Sequence, residues 1–226
     1  MDITDPPRRE QVKDELLALL GHELRNPLGP IRNAVQILRT RGVADAQSLW
    51  ALDLIERQLD EVVSVLESLS QVSRIFRGVA TTAAAPFAIA GSVDAAVQAS
   101  TAILELKQQR CDVVQPAGEV QAVGDRKRTE QALRALLRCA SKSLATGAAI
   151  AIDVTVADAS WTIGVGSPVA ADAKWEQEGS SRVAPHATVE LSLVRALSEL
   201  LGGRFVVRAA SGDAVRYELE LPLRAG

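Results

Sequence analysis

Leu19-Leu20-Gly21-His22-Glu23-Leu24-Arg25-Asn26-Pro27-Leu28 is the stretch on which the reading of this chain turns. It lies inside a longer repeat: Leu17, Leu20, Leu24, Leu28, Ile31, Val35 and Leu38 recur at steps of three and four. That spacing puts them on one stripe of a helix predicted over 8–41. At about 100° per residue, His22, Arg25, Asn26 and Gly29 share a face turned away from the stripe, with Glu23 beside it. A solvent-facing imidazole next to a carboxylate is a good nucleophile, because the acid can hold one ring nitrogen and leave the other free to attack. Pro27 removes a backbone donor and is expected to loosen the helix one turn after His22. Gly29 leaves room on the same face for another protein to approach. A stray surface histidine is the bland alternative, and a costly helical proline directly after the pair weakens it.

Working outward, Gly42 is the expected stop of this helix and Asp45 the cap of the next. Residues 46–77 repeat the pattern through Leu52, Ile55, Leu59, Val62, Leu66, Leu69 and Phe76. Two long amphipathic helices with a short connection make an antiparallel hairpin. Such a hairpin cannot cover both apolar stripes alone, so a second copy completing a four-helix bundle is expected, and with it a homodimer. Packing of the stripes on the rest of the same chain is the alternative. Trp50 is expected to cap the hairpin tip.

After a Thr- and Ala-rich linker from Gly78 to Pro86 the texture changes. Strands are predicted at 87–90, 112–115, 148–156, 160–165, 204–209 and 215–221, and helices at 92–107, 126–145 and 188–201. The stretch from Ser167 to Pro185 has no periodicity and reads as a loop. Mixed elements of this kind give an α/β sandwich with helices on one sheet face. The chain is therefore read as α+β, with a helical domain at 1–80 and a sandwich domain at 86–226.

Composition sets the outer bounds. The chain has 226 residues, 47% hydrophobic and 23% charged, with a net charge of −3. Its basic residues are interspersed with acidic ones, which argues against nucleic acid as a partner. Aromatics make up 3%, so aliphatic side chains must fill the core, which favours helix-rich packing. The two cysteines, Cys111 and Cys139, form no spaced set, which excludes a disulfide framework or cysteine zinc site and suits the cytoplasm. No apolar run reaches the ~20 residues that cross a bilayer, so no membrane segment is expected. Only His22 and His186 can supply imidazole chemistry.

The stretch Leu16–Arg39, with its core His-Glu-Leu-Arg-Asn-Pro-Leu and the following Pro30-Ile31-Arg32-Asn33-Ala34, resembles the H-box of the two-component sensor histidine kinases. The resemblance implies that His22 is the phosphorylated histidine, that Glu23 is its acid/base partner, and that the hairpin is a dimerisation and phosphotransfer domain. Asp2-Ile3-Thr4 resembles the exit of a PAS sensor domain, which in that family normally precedes this helix. Residues 86–226 are similar in layout to the family's ATP-binding domain.

Its motif positions depart from the family. The two asparagines expected on the helix at 126–145 fall on Ala135 and Cys139, and Mg²⁺ needs hard oxygen ligands that neither supplies. The adenine-binding aspartate aligns with Ser167, and its following glycines with Val169 and Ala171. The glycines that open the late helix are replaced by His186, Thr188 and Glu190. Glycines there let backbone approach phosphate, whereas Glu190 puts a negative charge in its place. Together these departures imply that ATP does not bind in the family manner and that the chain carries no metal or nucleotide cofactor of its own.

An H-box without an ATP site resembles the kinase-derived histidine phosphotransferases. His22 would exchange a phosphoryl group with the aspartate of a response-regulator receiver domain, which brings its own Mg²⁺. Glu23-Leu24-Arg25-Asn26 matches the acid-x-x-Asn arrangement of receiver phosphatases, with Asn26 orienting a water. Arg25, Gly29 and Arg32 are the candidate receiver contacts, although Arg32, Arg39 and Arg41 could equally be solvated helix charges. An active kinase with a divergent pocket, binding ATP, is the nearest alternative, and a non-catalytic receiver-binding module the next. A hydrolase built on Ser167, Asp172 and His186 is the outside reading: Gly-x-Ser-x-Gly is broken by Val169. His-Glu-x-x-His zinc chemistry is excluded by Asn26. Cys139 is expected to be a packed thiol, and Trp175 to lie in the degenerate loop.

Overall fold

The computed structural model describes residues 24–38, 46–77, 83–168, 176–177, 189–209 and 214–224. The chain divides into two compact units, Met1–Gly78 and Val79–Gly226.

The first unit is helical. Helix α1 covers 24–38 and runs through Pro27 without interruption, with the proline ring buried. Helix α2, Ala46–Phe76, is a single run of 31 residues. Ala34, Ala51, Val65, Val72 and Ile75 are buried. The predicted apolar stripe fares differently: Leu59 is 49% and Leu66 48% exposed, and Leu28 and Leu52 are exposed as well. Part of the predicted stripe of α2 therefore stays open in one copy, while Ile55, Val62 and Leu69 are half-buried. Trp50, the expected cap, is exposed. Gly42 and Asp45 lie outside the described residues.

The second unit begins with strand β1, Ala85–Ala88, and helix α3, Ile89–Leu106. The sequence reading placed the strand two residues later. The chain turns into helix at Ile89 because Ile89, Val93, Ala96 and Leu104 form a buried helical face. Strands β2, Arg110–Val114, and β3, Gln121–Gly124, precede helix α4, Arg126–Ser143. The sequence reading missed β3. Only Ala122 is buried in it, so it carries no alternation to detect, and it exists by pairing antiparallel with β1.

Strands β4, Ala149–Val156, and β5, Ser160–Gly166, form the predicted hairpin. A two-residue strand β6, Glu176–Gln177, lies in the stretch expected to be loop and pairs with the end of β7. Helix α5, Val189–Leu200, and the hairpin of β7, Arg204–Ala209, with β8, Val215–Pro222, complete the unit. The larger sheet has the order β2-β4-β5-β8-β7-β6, with β2 parallel to β4 and every other pair antiparallel.

One sheet face is apolar. Ile150, Ile152, Trp161, Ile163, Val207, Tyr217 and Leu219 are buried, and α3, α4 and α5 pack on the sheet. The other face carries an ion-pair chain. Arg216 on β8 reaches across β5 and donates both terminal nitrogens to Asp153 on β4, at 2.6 and 2.5 Å. Its Nε donates to Glu218 at 3.0 Å, and Arg208 donates to the other oxygen of Glu218 at 2.6 Å.

Gly164 makes the crossing possible, because a Cβ there would collide with the Arg216 guanidinium. We expect Gly164→Ala to destabilise the unit by about 1–3 kcal/mol, through displacement of a bidentate pair. Most of that loss should vanish in an Arg216→Ala background. Urea unfolding of both singles and the double measures the coupling, and additive losses would contradict it.

Candidate functional site

The described part of the H-box helix shows its outer face. Arg25, Asn26 and Arg32 are exposed, and Gly29 is half-buried. A methyl group built on Gly29 would meet nothing within 4 Å, so the surface there is open. Asn26, Gly29 and Arg32 stand at steps of three, and Arg25 lies one turn before Gly29, so the four share one side of α1. His22 and Glu23 lie outside the described residues, as do Arg39 and Arg41.

In the second unit the positions read as a degenerate nucleotide site are built from inside. Ala135 and Cys139 are buried on α4. The side chains of α4 are set by its caps. Asp125 accepts from the Arg128 N–H at 3.0 Å and also from the Ala83 N–H at 2.9 Å, so one carboxylate starts the helix and fastens the entering chain. At the other end, Lys107 and Gln109 donate to the carbonyls of Ser141 and Leu144. Burial, with Lys142 close by, lowers the pKa of Lys107.

Neither Ala135 nor Cys139 offers a hard oxygen to Mg²⁺. Ser167 serves the sheet: its N–H donates to the Val215 carbonyl at 2.9 Å, and its hydroxyl accepts from the Val215 N–H at 3.3 Å. His186, Thr188, Asp172 and Trp175 lie outside the described residues, as do Val169 and Ala171. Among the described residues no group of three or more His, Cys, Asp and Glu could hold a metal ion.

Two features here were not visible in the sequence. Glu190, in the first turn of α5, is 1% exposed, and its Oε1 accepts from the Lys142 ammonium of α4 at 2.8 Å. Its second oxygen has no hydrogen-bond partner among the described residues. The residues are 48 apart in sequence, so no local pattern could announce the pair.

Tyr217 is the second. Its hydroxyl meets the Ser143 hydroxyl at 2.5 Å, and its ring stacks on Phe205 with centroids 6.5 Å apart. Burial pushes its pKa up to about 12; the Ser143 hydrogen bond works against this, and Cys139 adds to it. Below the ordinary value of 10 neither state ionises. Above it the unfolded chain loses the phenolic proton first, so the folded state loses stability until pH reaches about 12. Tyr217 is the only tyrosine, so the ultraviolet absorbance of phenolate reports it alone. We expect a midpoint near 12 in the folded protein and near 10 in urea; a folded midpoint near 10 would contradict this burial.

Comparison with known proteins bears on both units. The His Kinase A (phospho-acceptor) domain family matches residues 12–78. Histidine protein kinase DivJ of Caulobacter vibrioides is 26% identical, over 92% of this chain and 37% of its own length. The chain thus spans little more than a third of that relative. Histidine kinase AdeS of Acinetobacter baumannii has the same fold, with a TM-score of 0.65 at 18% identity over 89% of this chain and 98% of its own. Histidine kinase ThkA, solved in complex with the response regulator protein TrrA, gives 0.70 at 17% identity over 96% of this chain and 64% of its own. No helix among the described residues is long and apolar enough to cross a membrane. Residues 12–78 thus match a histidine kinase phospho-acceptor domain, and the chain has the fold of solved histidine kinases.

Proposed function

We propose that this protein is a histidine phosphotransferase: His22 exchanges a phosphoryl group with a receiver-domain aspartate, and the sheet domain binds no ATP. The observation that carries the reading is the contrast between the two units. The H-box is complete in sequence within a matched phospho-acceptor domain. The sheet domain holds Ala135, Cys139 and a carboxylate, all buried, at the positions that would serve a nucleotide.

The chemistry needs only the hairpin and its partner. An unprotonated imidazole nitrogen of His22 attacks the phosphorus of the receiver's acyl phosphate. The bond between phosphorus and the aspartyl oxygen breaks, and the carboxylate leaves. Glu23 holds the proton on the other ring nitrogen. The reverse step regenerates the acyl phosphate on a second receiver. Asn26, exposed one turn later, orients a water against the same phosphorus, so receiver phosphatase activity belongs to this face. Arg25, Gly29 and Arg32 make the surface on which a receiver sits. The solved complex of ThkA with a response regulator supports that class of partner.

The exposed stripe supports a dimer. Leu52, Leu59, Val63 and Leu66 recur at steps of three, four and seven and are all exposed in one copy. Pairing two hairpins into a four-helix bundle would bury them, at roughly 25 cal/mol per Å² of apolar surface removed from water. The reading places the protein in the cytoplasm with its receiver.

Incubation with labelled ATP, and separately with a pre-phosphorylated receiver, tests the proposal. Label should enter the chain only from the receiver. Labelling from ATP would establish an active kinase instead, and receiver binding with no transfer would establish a non-catalytic module.

A further inference from the structure

We propose that the sheet domain binds a small amphipathic anion, an organic acid with an apolar body, in a cleft at the end of the domain away from the positions read as a nucleotide site. The cleft has a volume of about 530 Å³, within the range of pockets that hold small organic ligands. Three elements run from one end of the domain to the other. Asp125 and Thr129, at the start of α4, line the cleft, and Cys139 stands about 20 Å further along the helix axis. Leu200, the last residue of α5, lines it, and Glu190 lies about 15 Å back along that helix. Trp161, near the start of β5, lines it, and Ser167 follows the far end of the strand. The site therefore stands whether or not the domain takes ATP at the other end.

The cleft combines apolar walls with one uncommitted charge. Among its lining residues Phe87, Trp161 and Leu221 are buried, and Leu200 and Leu201 are half-buried. The Asp125 carboxylate is already engaged: its two oxygens accept from the Arg128 and Ala83 N–H groups, and it caps the positive end of α4. Arg224 differs. It is exposed, and its guanidinium has no hydrogen bond or ion pair among the described residues. The chain leading to it is nevertheless fixed: the Leu223 carbonyl accepts from the Val123 N–H at 2.7 Å, and the Leu223 N–H donates to the Ala159 carbonyl at 3.0 Å. An arginine held at the mouth of an apolar cleft can meet an acid group while the body of the ligand displaces water from the walls. A solvent-exposed ion pair is weak by itself, so the apolar body must supply most of the affinity, and a bare inorganic anion is not a ligand.

Titration of the full chain with anilinonaphthalene sulfonate, an aromatic acid whose emission rises when it leaves water, tests this alongside its uncharged analogue phenylnaphthylamine. Wild type should bind both. Arg224→Ala should weaken the sulfonate about two- to fivefold, the size of an exposed ion pair, and leave the uncharged analogue unchanged. Arg224→Lys should keep most of the affinity. Gly124 also lines the cleft, and a methyl group built on it meets only the Phe87 ring, at 3.7 Å. Gly124→Leu therefore puts bulk into the cleft and should weaken both compounds at least about tenfold. Should that variant fail to fold, the arginine variants decide the matter alone. Failure of wild type to bind either compound, an Arg224→Ala variant in which both are affected alike or not at all, or unchanged binding by a folded Gly124→Leu variant would overturn the proposal.

Discussion

Replacing His22 by alanine should abolish phosphoryl acceptance from a phosphorylated receiver while leaving the hairpin folded. The expected loss is complete, because no other side chain on the face can take the nucleophile's place. Arg25, Asn26 and Arg32 offer a guanidinium, an amide and a guanidinium, none with a basic lone pair near neutral pH. Alanine is the best helix former, so the substitution opposes no helix. The decisive contrast is with Asn26→Ala. That variant keeps the imidazole and should still accept and donate phosphoryl groups, while the rate at which it dephosphorylates a receiver falls by about 10²–10⁴, the range for loss of a group that positions a proton transfer. Acid-labile label on the chain, followed over time against receiver phosphate, separates the two activities. Unchanged transfer in the His22 variant would remove the basis of the proposed function.

Trp161→Ala should be the most damaging single substitution for the stability of the sheet domain, at about 3–5 kcal/mol. Trp161 is 1% exposed on β5, among the largest fully buried side chains. It lies between Val156 and Leu221 of the neighbouring strands and forms a wall of a cleft shared with Phe87, Leu200 and Leu221. Deletion of the fully buried indole leaves a cavity between these strands that the paired sheet cannot close. Against a total stability of order 5–15 kcal/mol for a domain, such a loss leaves little margin. Trp161→Phe keeps a ring in place and should cost clearly less. Thermal unfolding followed by circular dichroism checks both variants, and a loss below about 1 kcal/mol for the alanine variant would contradict the packing described here.

The helices were the most legible part of this fold. In α2 and α4 the apolar positions recur at 3.6 residues over many turns, and each turn adds to the same signal. Strands β4, β5, β7 and β8 were legible for a similar reason, since their buried and polar positions alternate. The strands that escaped are those whose existence depends on a partner. β3 has one buried residue and forms against β1, and β6 has two residues and forms against the end of β7. The start of α3 was misplaced because Phe87-Ala88-Ile89-Ala90 suits a strand and a helix equally well until Val93, Ala96 and Leu104 are seen to share its face.

The candidate site divides in the same way. His22, Glu23 and Asn26 are neighbours in sequence, so helical geometry alone relates them, and a local motif is enough to propose their chemistry. The residue types at Ala135, Cys139 and Ser167 are likewise properties of single positions. How those side chains are packed could be learned only from the structure. Ser143 joins the Cys139 carbonyl to the Tyr217 hydroxyl, Ser167 is bonded to Val215, and Glu190 is fixed by Lys142, each across tens of residues.

By itself, then, the sequence determined the α+β class, the amphipathic helices and the motif on which the proposed phosphoryl acceptance rests, because these depend on periods and neighbours within a few turns of chain. Only the tertiary structure decided that Arg216 crosses Gly164 to Asp153, that Glu190 is buried rather than solvated, and that part of the large aliphatic stripe of α2 stays exposed. Burial and ion pairing are properties of surfaces brought together from distant parts of the chain, and a charge changes meaning entirely when water is removed from it.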